Sequence, residues 1–523
     1  MSNLQNERRQ NDANIAISNT IESILSNSTF EIPEYQSLIY YGSETARFAI
    51  RKYERETGEM YLPGETSLDN GGTIDKLAEQ GLPIKRHRVA IADALVDATK
   101  RTELGIAFFE QGTDAPAYIY SGTMWRPINN ATFNDYLREL CKSFGIEPEI
   151  YNDVSYQERL REQIRDTFFV GNPNEIARGV SGSEPIMLNL ANGTLETGTD
   201  GKPVLRDFSR SDYFTYQLAF NYEPQAKGNV FIDFLNEVIV NPDGTPDIAT
   251  QKLLAEAVAS VFIPNSVMKL EKVPVLLGSG ANGKSVVFEV IQALLGAENV
   301  SHYSLQLLTA EKGYYRRELE HKLLNYCPEL DVNGISTGLF KQLASREPVS
   351  VEVKYGNPYS CDTYARLMFN ANQYPYISEK THGLFRRLMF IPFTVTIPFE
   401  KRDNKLANKI IQTELPGVLN WVLSGLKRLL KQGDYSKSPA VEQALDTYKL
   451  QSNSVAMFAE DEDGKIDKET PLKEYYSSYK DFCFTLGYKQ YGYQRFREQV
   501  RDVTKMKLIR KRNVWYATEP DNV

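Results

Sequence analysis

The sequence predicts an α/β protein, because apolar strands and apolar helices alternate through the middle of the chain. Residues 273–277 (VPVLL) are typical of a short buried strand, and the apolar helix that follows ends at Gly296. Residues 322–331 and 365–372 contain two further apolar strands, the first ending in acids and the second in an amide. This alternation favours the α/β class.

The composition is that of a soluble globular protein. The 523 residues are 41% hydrophobic and 24% charged, and this length suggests three or four domains of ordinary size. No apolar run reaches the length of a membrane span, and the polar N-terminus has no signal-peptide core, so we expect a cytoplasmic protein. The net charge is −8, so any surface that binds nucleic acid must be local. Four scattered cysteines argue against a disulfide framework or a zinc site.

We divide the chain into four regions. Residues 1–110 have a role that the pattern does not indicate, and residues 1–30, rich in Asn, Gln and Ser, are predicted to be disordered. The N-terminal region is predicted to be mixed α+β, residues 111–245 are predicted to be a separate domain after it, and residues 246–436 are predicted to be the α/β core. A Gly-, Ser- and Pro-containing linker then leads into a small module, and together they occupy residues 437–523.

Local patterns predict the elements within these regions. Alternating apolar residues predict a β-hairpin within 106–130, and residues 185–225 are rich in strand and turn signals. A loop over 241–247 precedes an amphipathic helix over 248–263, which Asp247 caps. The other predicted helices are 131–145, 156–169, 472–487 and 493–505, and a strand pair over 506–518 ends the chain.

Between the first core strand and its helix lies the sequence GSGANGKS, which has the Gly-x-x-x-x-Gly-Lys-Ser spacing of a P-loop in its required context. Glycine permits backbone conformations that let successive N–H groups point at phosphate oxygens, and the helix N-terminus adds its positive dipole. The lysine reaches the β- and γ-phosphates, and the serine hydroxyl binds Mg²⁺. The motif therefore predicts an ATP and Mg²⁺ site, although a glycine-rich turn before a core helix remains the plainer alternative. The predicted nucleotide-binding residues are Gly278, Ser279, Gly280, Ala281, Asn282, Gly283, Lys284 and Ser285.

Acids end the second core strand. In P-loop motors, one carboxylate at this place lies near Mg²⁺ and another near the attacking water. Glu329 is the first choice for this role and Asp331 the second. Acids also follow strands as ordinary turn residues, so the strand end alone leaves both interpretations open.

The third core strand ends at Asn372, an amide that can orient the hydrolytic water or simply form the turn before Pro375. Beyond it, Arg386 and Arg387 precede a short apolar strand. A guanidinium fixed there can offer charge to a transferring phosphoryl group at a subunit boundary. An arginine pair is otherwise ordinary surface charge.

The order GSGANGKS, LLNYCPELD, LMFNANQYP, FRRLMFIPF resembles the superfamily 3 helicases, and within them the phage and plasmid primase–helicase branch. Residues 415–426 resemble the helical segment after the core in that branch, residues 115–245 resemble its helical collar, and the C-terminal module resembles its winged helix. The resemblance covers roughly 115–520 and is strongest across 270–430.

The resemblance implies an AAA+-related ring, usually hexameric, that moves along one DNA strand, typically 3′ to 5′. It implies that Lys284 and Ser285 contact ATP and Mg²⁺, that Glu329 is the Walker B acid, that Asn372 is sensor 1 and that Arg387 is the finger acting on the neighbouring subunit. Arg387 is preferred to Arg386 because the family arginine directly precedes the apolar residue that opens the strand.

The resemblance also implies the DNA contacts. A β-hairpin before the sensor strand touches DNA in this family, which puts Lys354 and Tyr355 at its tip. In the winged-helix-like module, Lys505, Arg510 and Lys511 are the candidate phosphate contacts. In both places a solvated basic turn is the alternative.

The predicted function is an ATP-dependent, ring-forming DNA helicase for phage, plasmid or mobile-element replication in the bacterial cytoplasm. Its expected partners are single-stranded and forked DNA, further copies of the chain and, as a further candidate, a separate primase or polymerase. Neither the paired aspartates nor the zinc module of a primase is visible in the sequence. A bifunctional primase–helicase is therefore kept only as an alternative. An origin-binding initiator that uses ATP only as a switch is another, and a small-molecule phosphotransferase is a third.

Overall fold

The computed structural model describes most of the chain from residue 88 onwards. The described ranges are 88–89, 91–93, 95–96, 105–109, 115–143, 146–171, 185–197, 202–330, 335–352, 357–375, 382–461, 464–466, 469–486, 490–504 and 506–518. These residues divide into two compact units, the first reaching Asn221 and the second beginning at Tyr222, with Lys202 grouped in the second. The second unit therefore begins ahead of the predicted core boundary at 246.

The first unit contains a small antiparallel sheet with helices packed against it. Its strands and helices are β1 (Ile106–Ala107), β2 (Ala117–Tyr120), β3 (Trp125–Ile128), α1 (Asn130–Ser143), α2 (Pro148–Tyr151) and α3 (Val154–Phe168). The predicted hairpin is confirmed as β1 and β2, and β3 adds a third strand by pairing with β2. Asp153 begins α3 by accepting a hydrogen bond from the Tyr156 N–H.

A second antiparallel sheet of the first unit confirms the strand-rich pattern after residue 185. It consists of β4 (Ile186–Leu190), β5 (Gly193–Thr197) and β6 (Pro203–Arg206), in the order β4–β5–β6. The buried Asp212 carboxylate accepts hydrogen bonds from the Arg206 guanidinium at 2.9 and 2.7 Å and from the Thr194 hydroxyl at 3.0 Å. This polar pairing lets the carboxylate be buried beside that sheet.

Two helices open the second unit, α4 (Asn229–Val238) and α5 (Ile248–Ala259). Asp247 caps α5 as predicted, because its carboxylate accepts from the Thr250 N–H at 3.0 Å. The prediction that this helix is amphipathic is wrong, since α5 is buried on nearly every side. Gly425 allows the backbone of a later helix to approach α5, and Arg428 pairs with the fully buried Glu256 at 2.7 Å.

The strands of the second unit's core are β7 (Val273–Leu277), β8 (Val300–Ser301), β9 (Leu324–Cys327), β10 (Val349–Val351), β11 (Tyr359–Cys361), β12 (Arg366–Ala371) and β13 (Leu388–Pro392). Five of them form a parallel sheet in the order β13–β7–β12–β9–β8. The other two, β10 and β11, form an antiparallel hairpin. The α/β class predicted for the core is confirmed.

Helices surround this sheet. They are α6 (Lys284–Leu295), α7 (Leu305–Leu308), α8 (Tyr314–Arg317), α9 (Thr337–Ser345), α10 (His382–Phe385), α11 (Leu406–Thr413), α12 (Leu415–Gln432) and α13 (Pro439–Gln451). Gly433 ends α12 with a φ of 75°. The predicted linker contains only the turn before α13, because Tyr448 of α13 is buried against Phe390 of β13 with ring centroids 4.9 Å apart. Thus α13 belongs to the core, beyond the predicted boundary at 437.

The C-terminal module consists of α14 (Ser454–Glu460), β14 (Thr470–Pro471), α15 (Leu472–Leu486), α16 (Tyr493–Val503), β15 (Lys507–Lys511) and β16 (Val514–Thr518). The two predicted helices and the final strand pair are confirmed. A two-residue turn joins β15 to β16, with Arg512 and Asn513 both at positive φ (45° and 65°). Such a turn matches the twist of paired strands. No helix within the described ranges is both long and apolar enough to cross a bilayer.

Candidate functional site

The carboxyl ends of three neighbouring strands meet at one edge of the parallel sheet. The Gly278 N–H, directly after β7, donates to the Ala371 carbonyl at the end of β12 at 3.0 Å. The Leu330 N–H, three residues after β9, donates to the Asn370 carbonyl at 2.8 Å. After β7 the chain crosses to the far edge of the sheet and later returns to place β13 on the other side of β7. Open α/β sheets bind ligands at such a reversal of strand order.

The glycine loop (residues 278–285) has the backbone conformations that its glycines permit. Gly280 and Gly283 have φ values of 112° and 86°, and Ala281 between them has a φ of 50°. Gly283 also lacks room for a side chain, because a Cβ there would lie 2.8 Å from the ring of Phe234 in α4. The positive φ favours glycine at both positions, and at Gly283 the Phe234 ring also leaves no room for a side chain.

Gly278 is a glycine for a steric reason, and not for the backbone freedom that the motif predicted. Its φ is not positive, but a Cβ at this position would collide with the Asn282 side chain and the Phe393 carbonyl oxygen. The chain after β13 runs beside the loop, since the Phe393 N–H donates to Leu277 O and the Ile397 N–H to Ala281 O, both at 2.7 Å. These two hydrogen bonds attach the glycine loop and the end of β7 to the segment that follows β13.

Lys284 lies at the first position of α6 and is almost entirely buried. Its ammonium donates to the Gly278 carbonyl at 2.5 Å and to the Asn282 side-chain oxygen at 3.0 Å, and both acceptors are neutral. Burial lowers the pKa of Lys284. A buried cation at a helix N-terminus strongly favours an anion nearby. Ser279 and Ser285 are exposed on the same loop.

The predicted acid and amide both follow their strands at this edge. Glu329 is exposed two residues after β9, and Asn372 is exposed directly after β12. Asp331 lies outside the described residues. A polar residue that was not predicted, Asn370, is also part of this edge, and its buried side-chain oxygen accepts from the buried Tyr326 hydroxyl at 2.8 Å. This bond joins β9 to β12, and the polar residues inside both apolar strands were the only sequence signal for it.

The arginine pair differs from the prediction. Arg387 was expected to present its guanidinium to a neighbouring subunit, but its side chain is only 9% exposed. Its nitrogens donate to Ser345 Oγ at 3.0 and 2.8 Å and to Gly383 O at 2.8 Å, within the same chain. Arg386 is the outward-facing member, with its side chain 54% exposed.

Both arginines contact Glu271, with Arg386 at 3.3 Å and Arg387 at 3.6 Å. Partial burial opposes ionisation of this carboxyl group, but Lys269 and the two arginines together hold its pKa below the usual value. Arg387 is thus fixed by a carboxylate and by hydrogen bonds, as a structural cation is.

The hairpin expected ahead of the sensor strand is present as β10 and β11, which end shortly before β12 begins. Its predicted DNA contacts, Lys354 and Tyr355, lie outside the described residues. The hairpin strands are anchored in the core by the buried Val349 and Val351.

The candidate cations of the C-terminal module separate into two kinds. Lys511 forms an ion pair with the Glu469 carboxylate, at 2.6 and 2.7 Å. Arg510 is exposed, and its guanidinium lies 5.9 Å from the ring centre of Trp515. Arg497 of α16 lies 5.6 Å from the same ring, a contact between separate elements that no local pattern indicates. Lys505 lies outside the described residues.

In the part of the chain that the structure describes, no three histidine, cysteine, aspartate or glutamate side chains lie close enough together to hold a metal ion.

Two family models match parts of the chain. Residues 180–240 match the family described as D5 N terminal like. Residues 276–387 match a family of unknown function (DUF5906). The second match begins within β7 and ends at Arg387, so it contains the glycine loop and the ends of β9 and β12.

Solved structures with similar coordinates include two of the NrS-1 C-terminal region. The A form apo structure of that region is 11% identical, with a TM-score of 0.44, and the match covers 82% of this chain and 98% of the other. A second apo structure is 12% identical, with a TM-score of 0.45 and the same coverage. The chain is thus similar to the D5 N terminal like family over residues 180–240 and, at low identity, to these structures over most of its length.

Proposed function

We propose that this chain is an ATP-dependent DNA helicase of the phage primase–helicase type that works as a ring. The observation that carries the proposal is Lys284, a buried cation with neutral acceptors at the N-terminus of α6. It lies in a glycine loop with positive φ values, where the ends of β7, β9 and β12 converge. The motif order across 278–387 and the D5 N terminal like match support the family.

The residues at this edge fit a nucleoside triphosphate. The N–H groups of residues 278–285 and the α6 N-terminus would hold the phosphates, with Lys284 at the β- and γ-phosphates. Ser285 and Glu329 would hold Mg²⁺, which neutralises phosphate charge when bound. Glu329 would also accept a proton from the attacking water, and Asn372 would orient that water.

Arg386, rather than Arg387, is now the better candidate for the arginine that completes a neighbour's site. A finger acting between subunits has to be exposed on its own subunit, and Arg386 is exposed while Arg387 is buried. Among the described residues its ion-pair partner is Glu271, at 3.3 Å.

DNA would pass the β10–β11 hairpin, whose loop includes Lys354 and Tyr355. A lysine holds a phosphate, and a tyrosine stacks on a base, so binding there would depend on salt and not on sequence. Arg510 beside Trp515 would add a second contact that favours loading. The hexameric state and the 3′ to 5′ direction rest on the resemblance alone.

The test is steady-state ATP hydrolysis by the purified full chain with and without single-stranded DNA. We expect hydrolysis that DNA stimulates and that Lys284→Ala abolishes. ATP binding without DNA-stimulated hydrolysis would favour the ATP-switched initiator. Failure to bind ATP in an assay that detects binding by a known P-loop protein would overturn the proposal.

A further inference from the structure

The β10–β11 hairpin is attached on both strands to one segment, residues 302–320, which belongs to the connection from β8 to β9. On β10, the Ser350 carbonyl accepts from Arg316 Nε at 2.7 Å. On β11, the Tyr359 hydroxyl lies 2.7 and 2.8 Å from the two carboxylate oxygens of Glu320. One attachment runs from a buried arginine side chain to a backbone carbonyl, and the other is a side-chain pair near the surface.

Both attachments lie at the loop end of the hairpin. In the strand register, Ser350 pairs with Ser360 and Val351 with Tyr359, which is the last pair before the loop. Buried apolar side chains of the core hold both ends of the hairpin, Val349 and Cys361 at the inner pair and Val351 at the outer pair. The two attachments add polar contacts at the last two pairs of the hairpin, next to the loop.

Arg316 is placed with little freedom. It is 3% exposed, and its guanidinium also donates to the carbonyls of Leu308 at 3.2 Å and Ala310 at 2.8 Å. Gly313 allows the segment to approach the hairpin, because a Cβ there would lie 2.8 Å from the Ser350 carbonyl oxygen. A lysine at 316 could not make this fan of bonds, since it has a single nitrogen.

The beginning of the same segment contacts β9 and α6, two elements of the candidate nucleotide site. His302 Nδ1 donates to the Tyr326 carbonyl of β9 at 2.8 Å. The rings of His302 and Tyr326 both pack on Phe288 of α6, with centroids 5.6 and 4.7 Å away. Lys284 begins α6, and Glu329 follows β9. One continuous segment therefore connects these two elements of the candidate nucleotide site with the hairpin.

We propose that Arg316 and the Glu320–Tyr359 pair are positioning residues that couple ATP turnover to movement of the hairpin along DNA. The proposal rests on the proposed helicase function and adds the parts that transmit its motion. The quantity that tests this coupling is the DNA stimulation of ATP hydrolysis.

The sharpest variant is Tyr359→Phe, which removes the hydroxyl and keeps the ring. Tyr314→Phe in α8 is the matched control, because the two tyrosines are 38% and 41% exposed. Glu320→Ala and Arg316→Lys test the partner and the second attachment. For each full-length protein, ATP hydrolysis is measured with and without single-stranded DNA, beside unwinding of a forked duplex and a thermal melt.

Basal hydrolysis should stay within about twofold of wild type in every variant, because none of these side chains lies on the glycine loop or directly after β9 or β12. The DNA stimulation should fall about fivefold in Tyr359→Phe and about tenfold in Arg316→Lys, in keeping with lost bonds to charged groups. Unwinding should fall in parallel. The double variant of Tyr359→Phe with Glu320→Ala should be no worse than the worse single one, since both remove one interaction.

Unchanged stimulation in both Tyr359→Phe and Arg316→Lys would overturn the inference while leaving the helicase function intact. An equal fall in basal and stimulated hydrolysis would also overturn it, because that pattern reflects general damage. If Arg316→Lys does not melt cooperatively, Tyr359→Phe against Tyr314→Phe decides alone. A wild-type protein without DNA stimulation would refute the proposed motor, and the coupling with it.

Discussion

Lys284 and Arg387 are both buried cations beside neighbouring strands, one directly after the β7 loop and the other directly before β13, yet they are satisfied in different ways. Lys284 has neutral acceptors from its own loop. Arg387 has a serine, a backbone carbonyl and the Glu271 carboxylate. A buried cation whose acceptors are neutral still favours an anionic ligand, whereas one with a carboxylate is compensated within the fold. The comparison separates a candidate catalytic cation from a structural one.

The largest effect should follow loss of the first cation. Lys284→Ala should reduce ATP hydrolysis on the order of 100- to 1000-fold, because a charged donor to the phosphates is removed from a water-poor site. The melting temperature should stay the same or rise, since a buried charge is lost. Hydrolysis and thermal melts check both parts, with Lys409→Ala on the exposed side of α11 as the control.

Normal hydrolysis by Lys284→Ala would remove the basis of the comparison. A marked fall in its melting temperature would mean that Lys284 is structural, as Arg387 is.

Arg386 should behave as a cation available to another subunit. Arg386→Ala should bind ATP nearly normally but lose hydrolysis by about 100-fold, because the arginine finger stabilises charge only in the transition state. Mixing it with Lys284→Ala protein should restore part of the activity, since some interfaces then pair an intact loop with an intact arginine. Hydrolysis of the mixture against each variant alone is the measurement.

No recovery in rings verified to be mixed would argue against action between subunits. Recovery with Arg387→Ala in place of Arg386→Ala would restore the original assignment.

Arg387 should matter for stability first. Arg387→Ala leaves the buried Ser345 hydroxyl without its guanidinium partner and removes one of the two guanidinium groups beside Glu271, so the free energy of unfolding should fall by about 2–4 kcal/mol. Denaturant unfolding of the two arginine variants side by side measures the difference, and Arg386→Ala should change stability by less than about 1 kcal/mol because its pair is exposed. Equal destabilisation would contradict the division between the two residues.

The smallest effects are expected in the C-terminal module. There too, a cation that a carboxylate already compensates should contribute less to ligand binding. Arg510→Ala should weaken binding of single-stranded DNA a few-fold. It should also reduce the slope of the logarithm of the binding constant against the logarithm of the salt concentration by about one. Lys511→Ala should do less, because Glu469 already compensates its charge. Fluorescence-anisotropy titrations at several salt concentrations test this order, and a larger effect of Lys511→Ala would reverse it.

The sequence was sufficient wherever the signal is local. The glycine loop with its strand and helix, the Asp247 cap and the hairpin turn at Arg512–Asn513 all depend on neighbouring residues, and their elements were predictable. Parallel strands also bring their ends together without further information, which is why Glu329 and Asn372 fall at one edge.

What could not be predicted depends on partners far along the chain. The burial of Arg387 is set by Ser345, 42 residues earlier. The full burial of α5 depends on the close approach that Gly425 permits. In the same way, α13 was mistaken for part of a linker region because only its packing against Phe390 shows that it belongs to the core.

The central claim is that ATP turnover at the Lys284 edge drives strand separation, and Glu329→Gln tests it most directly. This variant should keep ATP and DNA bound while removing the base, so hydrolysis should fall by at least about 100-fold. Unwinding of a forked duplex by wild type and Glu329→Gln, each saturated with ATP, is the measurement. We predict that wild type separates the strands and Glu329→Gln does not. Equal strand opening by the two proteins, or wild-type hydrolysis without any unwinding, would contradict the motor and leave ATP as a switch.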